Sequence, residues 1–197
     1  MSVMTSRQAA ELDYALERNG LTSSDVKKMS KGGFLTGVRR VLRGEAIIKI
    51  GGLLEQFAIT DVSGAEKFVV KNAFGPDNPA GIKFWLGYNF KKHFLGLVEE
   101  NVPATELMIN TLVRPSLDAP IIAELGNRVE IMLAHLYELI SRQSNGAYLS
   151  YICGTDGNRW AVNADWYSTD REWSLDANSV ENPPPWREGS QVVSQVS

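Results

Sequence analysis

The chain has 197 residues, a formal net charge of −3 and 44% hydrophobic residues, a composition typical of one globular domain or of a domain with a small appendage. Its single cysteine, Cys153, excludes an internal disulfide framework and favours a reducing compartment. No apolar run approaches the roughly 20 residues of a transmembrane helix, and the N-terminus lacks the apolar stretch of a signal peptide, so we expect a soluble cytoplasmic protein that contacts no membrane.

Three short helices are predicted in the first 45 residues. The first spans 5–18 and ends at Asn19-Gly20, a pair that tolerates the left-handed conformation at a helix C-terminus. The second follows a capping Thr22 or Ser23, and the third runs through FLTGVRRVLRG. Short helices joined by tight turns resemble a helix-turn-helix. We therefore divide the chain into a helical segment, 1–45, and an α+β domain, 46–197.

A local basic patch marks this helical segment. Between Lys27 and Arg43 the chain carries six cationic residues and no acid: Lys27, Lys28, Lys31, Arg39, Arg40 and Arg43. One interpretation is phosphate contact by a small DNA- or RNA-binding unit. The other is a solvated outer face, on which the arginine stems cover apolar surface.

The middle of the chain predicts short strands and helices separated by glycine- and proline-rich turns. The stretch 53–60 is ambiguous between strand and helix, and FGPDNPAG at 74–81 has the composition of a loop. Apolar alternation predicts the clearest strand at 105–113, and Pro120 is compatible with the first turn of a helix starting at Asp118. The remaining predicted strands are 46–50, 67–70 and 82–86, with a short helix at 89–95.

The strongest periodicity of the chain lies at 127–143, NRVEIMLAHLYELISRQ. Apolar residues recur there at the spacing of one helical face, and Asn127 with Glu130 has the form of a capping box. We predict an amphipathic helix over 127–143 that forms the centre of a mixed α+β core.

After this helix the pattern changes to aromatic-rich strands. AYLSYICG, RWAVNADWY and EWSLDA predict a C-terminal antiparallel β-meander, followed by the proline run 183–185 and an edge strand at 191–196. The last 38 residues hold Trp160, Trp166, Trp173 and Trp186. These rings are candidates for stacking on a ligand. Because Trp160, Val162, Ala164 and Trp166 alternate along one strand, they also fit the packed face of a sheet.

Several segments carry a resemblance to a known family. They include EKFVV at 66–70, LGYNF at 86–90, SLDAPIIAELG at 116–126 and the ending NSVENPPPWREGSQVVS. With these residues the chain resembles a family of hypothetical proteins from uncultured bacterial lineages. No activity is assigned to that family, so the resemblance implies no reaction and transfers no catalytic residue.

The sequence lacks the usual catalytic and metal-binding motifs. It has two histidines, His93 and His135, and neither HxxxH nor HExxH. His135 fits a partly buried, hydrogen-bonded histidine. Cys153 is a nucleophile candidate with His135 or a small buried hydrophobe, and Glu99-Glu100 are either cation ligands or solvated acids. We expect no metal and no cofactor.

Three functions are consistent with these patterns. Because no catalytic constellation is found, a non-catalytic binding or interaction protein is the first expectation. Nucleic-acid binding through residues 1–45 is the alternative, and a small enzyme without a recognisable motif comes last.

Overall fold

Residues 4–31, 33–45, 51–181 and 184–196 are described by the computed structural model of the protein. The chain divides into two units, Met1–Gly51 and Gly52–Ser197. The predicted strand at 46–50, Gly32 before the third predicted helix and Pro183 of the proline run lie outside the described residues.

Three helices make up the described part of the N-terminal unit: α1 (Ser6–Arg18), α2 (Ser23–Met29) and α3 (Phe34–Leu42). Capping boxes begin the first two, formed by Thr5 with Gln8 and by Thr22 with Asp25. None of the residues of these three helices is buried. Local capping therefore defines these helices more than a hydrophobic core does.

The C-terminal unit combines nine strands and four helices in its described residues. The strands are β1 (Leu54–Val62), β2 (Ala65–Val69), β3 (Lys83–Leu86), β4 (Val98–Val102), β5 (Thr105–Leu112), β6 (Ala147–Cys153), β7 (Arg159–Tyr167), β8 (Glu172–Ser179) and β9 (Gln191–Gln195). The helices are α4 (Val70–Ala73), α5 (Tyr88–Phe94), α6 (Asp118–Leu125) and α7 (Leu133–Ser141). Across the described residues, no helix is both long and apolar enough to cross a bilayer.

A mixed seven-stranded sheet organises the unit, in the order β1-β5-β9-β6-β7-β8-β3, and β2 pairs with β4 in a second sheet. The predicted α+β class is confirmed. Strands β6, β7 and β8 pair antiparallel in sequence, in the meander arrangement. The prediction of an edge strand at 191–196 is wrong, because β9 lies between β5 and β6, antiparallel to the first and parallel to the second.

Two hydrophobic cores cover the two faces of the large sheet. The first face carries Val162, Trp173 and Leu175, and α4, α5 and α7 pack on it. The second carries Leu149, Tyr151 and Ala161, beneath α6. Alternation along each strand sends successive side chains to opposite cores, so the predicted register of Trp160, Val162, Ala164 and Trp166 on one face agrees with the structure.

The predicted helix at 127–143 is too long at its N-terminal end. Residues Gly126–Arg128 form a 3-10 turn, Glu130 bridges to Tyr151 of β6, and α7 begins only after Met132. The first turn of α7 is capped instead by Glu99 of β4, whose carboxylate oxygens accept from the N–H groups of Leu133 at 2.8 Å and Ala134 at 2.9 Å. A carboxylate from a distant strand thus replaces the local cap.

Two further glutamates bind backbone of distant segments in the same way. Glu124 of α6 accepts from the N–H groups of Leu53 at 2.6 Å and Leu54 at 3.0 Å, at the start of β1. Glu138 of α7 accepts from the backbone N–H of Ser63 at 2.5 Å and from its hydroxyl at 3.0 Å. These bonds attach the helices to the β1 side of the sheet.

Candidate functional site

A cleft of about 490 Å³ opens between the C-terminal end of α7, the β7–β8 turn and the residues that lead into β3. We call it the cationic cleft, after Lys83, Arg142 and Arg171 in its lining. All three side chains are exposed. Among the described residues, no carboxylate lines this cleft. The described lining therefore carries a net positive charge although the chain carries a net charge of −3.

Arg171 reaches the cleft from a strained position. Its φ is +52°, in the left-handed region that glycine or asparagine usually occupies in a turn. A side chain held there costs of order 1–3 kcal/mol unless the position is needed for another reason. The turn therefore keeps an arginine at the mouth of the cleft at some cost in stability.

Two unpartnered polar atoms belong to residues of the cleft lining. Trp173 is fully buried and its Nε1–H has no hydrogen-bond acceptor, and Ser141 Oγ is buried without a partner. A buried N–H or hydroxyl without a partner is costly in a folded protein. Both atoms are closed off from solvent in this structure, so the cations of the cleft, and not these two groups, are the donors that a ligand can reach.

An aromatic wall completes the cleft. Trp166 is half-buried, and its ring meets that of Trp173 edge to face, with centroids 5.5 Å apart and an interplanar angle of 60°. Because Trp173 is buried by the sheet, this contact fixes the orientation of Trp166. The cleft thus offers an indole surface next to cationic groups.

Arg142 is held in place by two groups. Its guanidinium pairs with Glu138 one helical turn earlier, and its Nη1 donates to the carbonyl of Asp61 at 2.6 Å. Lys83 and Arg171, in contrast, have no ion-pair partner within the described part of the chain. These two cations are the ones available to a ligand.

The loop before β3 is fixed by a buried asparagine. Asn78 donates to the carbonyls of Gly75 at 2.9 Å and Ile82 at 2.6 Å, and its Oδ1 accepts from the N–H of Ile82 at 3.1 Å. It is 6% exposed. The segment predicted as an irregular loop at 74–81 is therefore pinned by these bonds, and Gly81 to Lys83 form a defined wall of the cleft.

The four predicted stacking tryptophans occupy three places. Trp166 and Trp173 meet at the cationic cleft, but the burial of Trp173 leaves no ring surface for a ligand, which rules it out as a stacking platform in this conformation. Trp160 lies against His93, with ring centroids 4.0 Å apart. Trp186 lies at the second core and donates to Asp118 at 2.5 Å. Only Trp166 combines exposure with a place in the cleft.

The six predicted phosphate contacts belong to the N-terminal unit, and all are exposed: Lys27, Lys28, Lys31, Arg39, Arg40 and Arg43. At 3.6 residues per turn, the three arginines fall within about 100° of arc on and just after α3. Lys28 pairs with Asp25 at 3.5 Å, one turn earlier in α2. Arg39 and Arg40 also lie in the last turn of α3, where cations stabilise a helix terminus.

Two further candidate residues, His135 and Cys153, lie outside the lining of the cationic cleft. His135 was predicted as a partly buried, hydrogen-bonded histidine. The hydrogen bond is confirmed, because Nε2 lies 2.9 Å from the carbonyl of Pro103, and the burial is more complete than predicted, at 1% exposed. Cys153 is exposed, so its interpretation as a buried hydrophobe is wrong. It alternates with Ile152, which faces the α7 side, so Cys153 points away from His135. Within the described residues, no cluster of three potential metal ligands occurs.

Sequence reasoning missed Lys83, Ser141, Arg142 and Arg171 as neighbours. They come from three places that lie far apart in the sequence, namely β3, the C-terminal end of α7 and the β7–β8 turn, and no spacing rule connects them. One signal was present, because the β7–β8 turn ends in an arginine where a glycine or asparagine is the usual residue.

No protein-family model, curated protein or solved structure matches this chain. The resemblance to the bacterial family stays a prediction. The function therefore has to be argued from the cleft itself.

Proposed function

We propose that the protein is a non-catalytic binding protein whose cationic cleft takes a small organic anion. The ligand would carry a carboxylate or phosphate next to a flat or apolar group. The observation that carries this proposal is the presence of two exposed cations without an ion-pair partner among the described residues, Lys83 and Arg171, in a cleft whose described lining holds no carboxylate. The anionic group would accept hydrogen bonds from these donors, and the flat group would lie against Trp166.

The absence of catalytic machinery supports binding rather than turnover. The described lining offers hydroxyl, indole, amide and cationic groups, but no carboxylate, imidazole or thiol that would act as a general base or an activated nucleophile. A volume of about 490 Å³ suits a small molecule.

Titration with phenyl phosphate and benzoate, followed by calorimetry and tryptophan fluorescence, tests the proposal. Both anions should bind saturably and change the emission of Trp166, while benzylamine, which has the same ring and the opposite charge, should not. Arg171→Ala should weaken binding about ten- to a hundredfold, the worth of one charge-assisted hydrogen bond. Arg114→Ala, which removes an exposed arginine outside the cleft lining, should leave it unchanged. Equal binding by both variants would contradict the proposal.

A second variant of the same residue separates binding from folding. Arg171→Gly relieves the left-handed strain at φ +52° and should raise the unfolding free energy by about 0.5–1 kcal/mol. Anion binding should fall as in Arg171→Ala. A variant that is more stable and binds less well is the expected sign of a residue kept for function.

Nucleic-acid binding by the N-terminal unit is a second candidate function. It is supported by the exposure of all six basic residues and by the common arc of Arg39, Arg40 and Arg43. Labelled single-stranded and duplex oligonucleotides should bind more weakly as salt rises, and replacement of the three arginines by alanine should abolish the binding. No mobility shift at low salt with micromolar protein would end this proposal.

A cytoplasmic location is part of the proposal. It is supported by the single cysteine, Cys153, whose exposed thiol is free. Localisation of a tagged full-length chain by microscopy would test it.

A further inference from the structure

Strand β3 lies at the open edge of the seven-stranded sheet. It pairs on one side only, parallel to β8, and the ladder continues where the N–H of Gly87 donates to the carbonyl of Leu175 at 2.8 Å. Because alternate residues of a strand direct their backbone groups to opposite sides, those of Phe84 and Leu86 point away from β8. An edge of this kind is a template for one more strand.

A groove of about 800 Å³ follows this edge. Its lining includes Phe74 and Leu95, from the segments after α4 and α5, and the side chains of β3 itself. The groove is therefore largely apolar along the direction in which an added strand would run. Alternate side chains of such a strand would point into it.

Three exposed lysines line the same groove: Lys71 of α4, Lys83 of β3 and Lys91 of α5. None has an ion-pair partner among the described residues. Glu172, opposite Lys83 in the β3–β8 register, is the one acid of the described lining. Three ammonium groups against one carboxylate select a partner of negative charge.

We propose that the β3 edge binds an acidic, extended peptide segment of a partner protein by strand addition. Its backbone pairs with Phe84 and Leu86, its apolar side chains enter the groove, and its carboxylates meet Lys71, Lys83 and Lys91. A second copy of this chain fits less well, because its β3 edge carries the same excess of lysines and would bring like charges together.

The test uses a labelled heptapeptide of three central valines with two glutamates on each side, so that glutamates face both sides of the added strand; it is added at low salt to the full chain. We expect saturable binding and NMR shifts of the Phe84 and Leu86 amides. Two N-methylated forms of the peptide, one for each alternate set of amides, distinguish strand addition from charge attraction. One form should lose binding and the other keep it, because only one set faces β3.

Lysine-to-alanine variants measure how much the positive charges of the groove contribute to peptide binding. Lys71→Ala with Lys91→Ala should weaken peptide binding about tenfold, as two exposed ion pairs would. Neither residue lines the cationic cleft, so phenyl phosphate binding should be unchanged, and Arg171→Ala should leave peptide binding intact. The proposal is overturned by absence of binding at millimolar peptide, by equal binding of both N-methylated forms, or by shifts located away from β3. A valine–lysine peptide that binds as well would also overturn it.

Discussion

Replacing Glu99 by alanine tests whether α7 depends on a cap from β4. Glu99 is 8% exposed, and its carboxylate accepts two backbone bonds at 2.8 and 2.9 Å. Removal leaves two buried N–H groups without acceptors, each costing about 1–3 kcal/mol. We therefore expect a loss of about 2–5 kcal/mol of unfolding free energy. For a chain of this size, that lowers the melting temperature by roughly 5–15 °C.

Glu100 is the matched control, because it follows Glu99 on the same strand but is exposed. Glu100→Ala should change the unfolding free energy by less than about 0.5 kcal/mol. Glu99→Gln retains one acceptor and turns an amide NH₂ toward the second N–H, so it should lie between wild type and Glu99→Ala. Denaturant unfolding followed by circular dichroism measures all three. Equal losses for Glu99→Ala and Glu100→Ala would refute the role of the cap.

Two further changes probe the two cores. Leu136→Ala removes a fully buried side chain of the first core and should cost about 2–5 kcal/mol by denaturant unfolding, whereas Leu117→Ala, at a residue that is 47% exposed, should cost much less. Asp118 of the second core is fully buried, accepts from Tyr151 and Trp186, and has one oxygen without a partner. Burial raises the pKa of Asp118 above the ordinary value of 3.8, more than these two bonds lower it. The native state therefore holds the proton more tightly than the unfolded chain, and stability falls as pH rises through the raised pKa. Asp118→Asn keeps the accepting oxygen, so it should gain about 1–3 kcal/mol at neutral pH and match wild type near pH 3 in pH-dependent unfolding. A variant less stable than wild type at neutral pH would contradict this reasoning.

The sequence predicted those features of the fold that depend on residues close together in the chain, such as helix starts and the packed face of a strand. Thr5 and Thr22 begin helices because each cap and its partner lie three residues apart. The alternation of Trp160, Val162 and Ala164 predicted which strand face is packed, because side chains of a strand alternate whatever the topology.

Contacts between distant segments were not predictable in this way. The helix at 127–143 was predicted too long because its apolar spacing continues through Val129 and Met132, while Glu130 pairs with β6 and Glu99 supplies a cap from β4. Strand β9 looked like an edge because its partners, β5 and β6, lie on opposite sides of α7 in the sequence. The cationic cleft depends on both the sheet order and the turn before β8.

The distribution of charged groups supports the proposal that the protein binds an anion. Four acidic side chains accept hydrogen bonds within the fold: Glu99, Glu124 and Glu138 accept from backbone N–H groups, and Asp118 accepts from the side chains of Tyr151 and Trp186. Each therefore helps to hold a helix or strand in place. Lys83 and Arg171 have no such partner, and Arg171 is retained in a strained turn. In a chain with a net charge of −3, a cleft that holds two cations without an ion-pair partner among the described residues, and whose described lining has no carboxylate, supports the proposal of anion binding.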